Sequence, residues 1–294
     1  MKKQQRPYRA IAITAMARRE LRSTLFNVGI YIAIALGLCV ASFLLYNYVG
    51  SIQENGVLVL PSSFTYTRYL GGTIPSPEPM QVPLKWAVYI GAIYITLSAS
   101  MAISRERDQG TLEVLFYGPV DSVSFVIAKF MEQILAFAVI LLFYVLYFVF
   151  MSRVSNFALS MGFVKMLLLS LLLAGCMAAF GMFLSSLSRK VKTSVILFLV
   201  FTIIFISVPL VHSFLMAIPQ DEVKGALSIA RQTTSYLNTL VTWVSPFAYL
   251  DRGATAIELG SAAEFVKSLL FSLVYTTILI IGSIGIFNRK GVRR

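Results

Sequence analysis

From Leu25 to Tyr48 the chain carries no charged residue, a stretch longer than the roughly 20 apolar residues that cross a bilayer core. Backbone amides inside hydrocarbon have no water to bond, so an apolar run of that length is read as a helix that satisfies its own peptide groups. The pattern returns at about 85–104, 122–151, 164–187, 193–214 and 262–287. Six spans fix the expected class as an all-α integral membrane protein in one transmembrane domain. Composition supports this, with 57% hydrophobic and only 13% charged residues, against about 25% charged in soluble domains. The first apolar run is too long for a signal-peptide core, which predicts an uncleaved anchor.

The formal charge of +12 raises nucleic acid as a partner, but the location of the charges argues for a lipid bilayer and against nucleic acid. Lys2, Lys3, Arg6, Arg9, Arg18, Arg19 and Arg22 precede the first span, where an interfacial lead-in over 1–24 is expected. Arg105 and Arg107, then Arg189, Lys190 and Lys192, then Arg289, Lys290, Arg293 and Arg294 fall on the same side if the N-terminus is inside. The opposite side holds the sparser set Arg68, Arg153, Lys224, Arg231, Arg252 and Lys267. The positive-inside rule therefore predicts both termini in the cytoplasm. Cys39 and Cys176 both lie in apolar runs and are read as small core residues rather than a disulfide.

Between the second and third runs, 105–121 holds a charged cluster and a short apolar piece. Gly110 permits a sharp turn, Thr111 can cap a helix, and Gly118-Pro119 stops one. Leu112, Leu115 and Phe116 would share one face of two helical turns, with Glu106, Asp108 and Glu113 leaving charge around them. That is the shape of a knob docking into a groove on another protein. Asp121 or Ser122 can cap the third span, and Lys129 and Glu132, three residues apart near its start, can pair with each other at the inner boundary or snorkel to it.

Glu106, Gly110-Thr111-Leu112-Glu113, Pro119 and Lys129 together resemble the signature of ABC-2 type transporter permeases. The resemblance implies that 105–121 is the coupling segment resting on a separate ATP-binding subunit, which would hold ATP and Mg, and that two permease subunits pair as a homo- or heterodimer. It places the protein in the plasma membrane of a prokaryote. It also implies that spans two and five line the central path, making Tyr94, Ser98, Phe198, Phe201, Thr202 and Phe205 candidate translocation residues. The alternative for those aromatics is ordinary bundle packing.

Residues 49–84, with Pro61, Pro75, Pro77, Pro79 and Pro83, read as an outer loop with a hairpin formed by 57–60 and 64–69. Residues 217–260 read as amphipathic helices broken at Ser245-Pro246-Phe247, the slot where the resembled family carries re-entrant helices. Ser261 and Glu264 are spaced as a capping box opening the last span.

The chain has no G-x-x-x-x-G-K-[ST] phosphate loop, so ATP hydrolysis is assigned to another chain and no cofactor to this one. Membrane proteolysis fits poorly, because Gly282-Ser283-Ile284-Gly285 lacks the order of a nucleophile motif and no aspartate falls within a span. The expected function is export of an apolar or amphiphilic substrate by alternating access. The alternatives are a permease-like subunit that moves an extracytoplasmic partner through 49–84, and an ion-coupled carrier.

Overall fold

The computed structural model describes residues 5–55, 80–111, 121–155, 159, 161–218 and 225–291. Its elements are α1 (Gln5–Leu25), α2 (Val28–Asn55), α3 (Gln81–Asp108), α4 (Ser122–Ser155), α5 (Met161–Leu187), α6 (Val191–Ala217), α7 (Ala226–Val244), α8 (Pro246–Glu258) and α9 (Ala262–Gly291). All are helical. Six of them, α2 to α6 and α9, are long and apolar enough to cross a membrane. The expected hairpin at 57–69 lies outside the described residues. Helix α2 runs on to Asn55 and α3 begins at Gln81, so both ends of the expected loop 49–84 are helical.

Helix α5 is the central post, with 72% of its apolar window buried, and it packs on α3, α9, α8, α4 and α6. Its sequence explains the position. Ala174, Gly175, Cys176, Ala178, Ala179 and Gly181 are small, and where hydrophobicity no longer drives helices together small residues let backbones approach and gain dispersion contact. The α3 contact is the most extensive. A Cβ at Gly181 would lie 2.5 Å from the Thr96 carbonyl oxygen and 2.8 Å from the Ala99 Cβ. Hydroxyls reinforce this seam: the Ser185 Oγ accepts the backbone N–H of Ile103 at 3.0 Å and of Ser104 at 2.9 Å, and the Ser194 hydroxyl of α6 donates to the Ser100 carbonyl. Cys176 is buried in the post, whereas Cys39 is exposed on α2, against the expectation of two core cysteines.

The bundle has two ends, named here for the helices that close them. At the α1 end, the chain breaks at Phe26-Asn27 and α1 packs along α4, burying Ala17. The Asp121 carboxylate caps α4 by accepting the Ser124 N–H at 3.3 Å. Arg107 closes α5, its guanidinium donating to the carbonyls of Ser186 at 3.3 Å and Ser188 at 2.8 Å.

At the α7 end, Pro246 stands at the first turn of α8 and α7 must stop. The last four carbonyls of a helix lack intrahelical donors. Here each has one: Val241 accepts from the Ser245 N–H at 2.7 Å, Thr242 from Arg252 Nη2 at 3.2 Å, Trp243 from the Tyr249 hydroxyl at 2.9 Å and Val244 from the Tyr275 hydroxyl of α9 at 2.7 Å. Lys85 of α3 joins Asp251 of α8 at 2.6 Å. Burial pushes the neighbouring Glu258 carboxyl above the ordinary carboxylate range, with Lys85 opposing and Asp251 adding to the rise. The Ser261 hydroxyl accepts the Glu264 N–H at 3.4 Å, but Glu264 turns to Lys267 at 2.6 Å instead of completing a capping box.

The Gly181 contact sets a direct test. Gly181→Val should cost about 1–3 kcal/mol by overpacking, read as a fall of several degrees in the unfolding temperature of the detergent-purified chain. Gly285→Ala, whose new Cβ meets nothing within 4 Å, should leave that temperature unchanged or raise it.

Candidate functional site

The last turn of α3 carries Arg105, Glu106, Arg107 and Asp108. It ends through Gln109, whose N–H reaches the Arg105 carbonyl at 3.0 Å, and Gly110, whose φ of +70° is the left-handed turn that glycine adopts at least cost. The turn folds the chain back on itself. The Thr111 hydroxyl donates to Glu106 Oε2 at 2.5 Å and closes α3 from behind, while the residues of the helix it was expected to cap lie outside the described residues.

Glu106 turns inward as well. Its Oε1 lies 3.2 Å from Lys129 Nζ of α4, and the same ammonium lies 2.9 Å from Glu20 Oε2 of α1. This corrects two expectations. Glu106 does not leave its charge around the knob, and among the described residues the ion pairs of Lys129 go to Glu20 and Glu106 rather than to Glu132. The geometry gives the reason. Glu20 and Thr24 are four apart on α1, Lys129 and Glu132 three apart on α4, so both pairs face each other where the helices pack. Lys129 takes Glu20, and Glu132 Oε1 accepts the Thr24 hydroxyl at 2.5 Å. The Lys129 side chain is only 6% exposed, against 18% for Glu106 and 32% for Glu20.

These groups wall a polar cavity of about 130 Å³ with Asn27, Tyr94, Ser98, Arg105 and Gln133. The Gln133 Oε1 is buried in the wall without a hydrogen-bond partner among the described residues. A polar space of that size suits a few ordered waters. No group of three or more His, Cys, Asp or Glu side chains among the described residues is placed to hold a metal ion.

The residues expected on a translocation path divide into two sets. Tyr94 and Ser98 face the polar cavity. Phe198 and Phe205, both buried, join Phe201 in an aromatic cluster on Phe180 of α5, with centroid separations of 5.8 Å for Phe180–Phe201 and 5.5 Å for Phe180–Phe205. Ile93 and Leu97 of α3 pack on that cluster, and Leu97 also lines the polar cavity beside Tyr94 and Ser98, so the two sets meet at α3. Thr202 is half-buried on α6. Leu112, Glu113, Leu115, Phe116 and Pro119 lie outside the described residues.

Sequence reasoning did not assign Glu20, Thr24 or Gln133 to this site. A signal existed for the first: Glu20 is the one acid in the basic lead-in 1–24, an odd choice for a segment whose only task is to be positive.

Lys129→Met strands two carboxylates beside a buried site and should destabilise the fold by about 3–5 kcal/mol. Adding Glu106→Gln to Lys129→Met should recover part of that loss. Thermal unfolding of the two single variants and the double variant closes the cycle, and strictly additive effects would refute the pairing.

Residues 14–292 match the model of a family described as ABC-2 family transporter protein. No curated protein matches the chain.

Proposed function

The chain belongs to the ABC-2 transporter family, and from that premise we propose that it is the permease subunit of an ATP-driven exporter of apolar or amphiphilic substrates. In this reading the α1 end faces the cytoplasm of a prokaryotic cell. Two permease subunits pair in the plasma membrane, and each rests on a separate subunit that binds ATP and Mg. The segment 105–121 is the contact with that subunit.

The observation that carries this reading is the ammonium of Lys129 held between Glu20 and Glu106. A segment that only connected two spans would need no buried cation at its root. With one, force applied to the segment reaches α3 through Glu106 and Thr111, and reaches α1 and α4 through Lys129. The hydroxyls of Ser185 and Ser194 then couple α3 to α5 and α6. Closure of the ATP-binding subunits would move these helices together and shift the bundle between two access states, since packed interfaces switch between discrete arrangements. The polar content next to Tyr94 and Ser98, beside the aromatic cluster of Phe198, Phe201 and Phe205, suits a cargo with both apolar and polar parts.

Leu112→Arg and Glu113→Arg probe the segment itself in the complex reconstituted into liposomes. The expected result is ATP hydrolysis that no longer responds to substrate, transport lowered about tenfold or more, equivalent to at least about 1.4 kcal/mol of lost coupling, and an unchanged unfolding temperature. Unaltered coupling in both variants would overturn the assignment of 105–121.

A further inference from the structure

At the α7 end, a groove of about 720 Å³ runs between the α7–α8 break and the start of α9. Its floor is apolar, with Trp243, Leu259 and Phe271 all substantially exposed and the Trp243 and Phe271 rings edge to face at 5.6 Å. Its rim is charged, with Asp251, Arg252, Glu264 and Lys267.

The charges are not equivalent. Asp251 is held by Lys85 at 2.6 Å and Glu264 by Lys267 at 2.6 Å. Arg252 is held by no carboxylate among the described residues. Its guanidinium lies 4.5 Å over the Trp243 ring and 5.8 Å from the Tyr249 ring, and one nitrogen serves the Thr242 carbonyl. A guanidinium offers five N–H donors, so most of its fork remains for an anion.

Depth identifies which anion. The apolar span of α9 covers 28 residues, Ala262–Arg289, or about 42 Å of helix against a hydrocarbon core of about 30 Å. Measured back from Arg289, roughly 20 residues of core place Phe271 just inside the hydrocarbon. Glu264 and Lys267 then stand one to two turns higher, at the level of lipid headgroups. The groove therefore crosses the interface: Glu264 and Lys267 stand at headgroup height, Phe271 and Trp243 at the top of the acyl-chain region, and Arg252, stacked over Trp243, at the boundary between them. Trp and Tyr are the side chains suited to that boundary.

We infer that this groove is a phospholipid-binding site, with the lipid phosphate on Arg252 and an acyl chain along Trp243, Leu259 and Phe271. The site is independent of the transport reading, because it needs only a bilayer.

Native mass spectrometry of the full-length detergent-purified chain tests it, with dioleoyl phosphatidylglycerol and a dioleoyl galactolipid as probes. The phospholipid should be retained about tenfold better than the phosphate-free lipid, the scale of one charge-assisted contact. Arg252→Gln, which keeps a donor for Thr242, should erase that preference, and Arg252→Lys should restore part of it. Thr255→Trp, which keeps Arg252 in place, fills the groove and should lower retention of both lipids. Should Arg252→Gln fail to fold, Arg252→Lys and Thr255→Trp carry the comparison. The inference falls if the two lipids bind equally, if the preference survives Arg252→Gln, or if inorganic phosphate displaces the lipid. It also falls if Thr255→Trp leaves lipid bound, including the case where it instead separates two copies of this chain and so marks the groove as a subunit contact.

Discussion

Where α7 stops, four carbonyl oxygens would be left with nothing inside the helix to accept from, and each one kept from water would cost several kcal/mol. The chain meets this demand with donors from other turns and other helices: the Ser245 backbone, Arg252, Tyr249 and Tyr275. The requirement is local, but the remedy is tertiary. Because Tyr275 belongs to α9 and Arg252 to α8, closing the end of α7 also fixes α8 against α9. Arg107 does the same for α5 at the opposite end, where the carbonyls of Ser186 and Ser188 are taken by a side chain of α3. Inside the bundle, Ser185 and Ser194 reach peptide groups of α3. In a bilayer these bonds supply the specificity that apolar burial supplies in water, since lipid tails are as apolar as the side chains they meet.

Charge at the α1 end follows the same logic with higher stakes. A buried ammonium is tolerated only with partners close by, and Lys129 has carboxylates from two other helices. The consequence is mechanical. An interfacial lead-in tethered only by its positive charge could slide on the membrane, whereas α1 is fixed to α4 by Glu20 and Thr24 and through Lys129 to the end of α3. The basic lead-in is thus part of the bundle.

The six long helices were legible because an uncharged run of spanning length admits few structures, and the Asp121 cap, the Gly110 turn and the Ser245-Pro246 break were legible because each depends on neighbours in sequence. What was hidden depends on packing. Lys129 and Glu132 look like an ion pair until α1 is docked, after which Glu20 and Thr24 compete for them across the whole of two spans. Serines within spans are indistinguishable in sequence; only the close approach at Gly181 selects Ser185 as the one that meets α3. The direction of Glu106 was misread for a similar reason, since a carboxylate beside Arg105 and Arg107 reads as solvated until a buried cation is found beneath it. Phe198 and Phe205 show the limit in the other direction, for an aromatic stripe on α6 has the same spacing whether it lines a path or packs on Phe180.

These separate contacts combine in α3. Its 28 residues make a rod of about 42 Å, tied at one end through Glu106 to Lys129 and at the other through Lys85 to Asp251. A helix stiffened along its length by α5 cannot absorb an axial push by bending, so displacement at one end loads the ion pair at the other. The two pairs are unequal. Lys129 is 6% exposed, whereas Asp251 is 55% exposed, and solvent weakens the second pair while leaving water ready to receive its separated charges. Under the proposed function, a force entering at Glu106 would therefore load the Lys85–Asp251 pair, the more solvated of the two, before the Glu20–Lys129–Glu106 cluster.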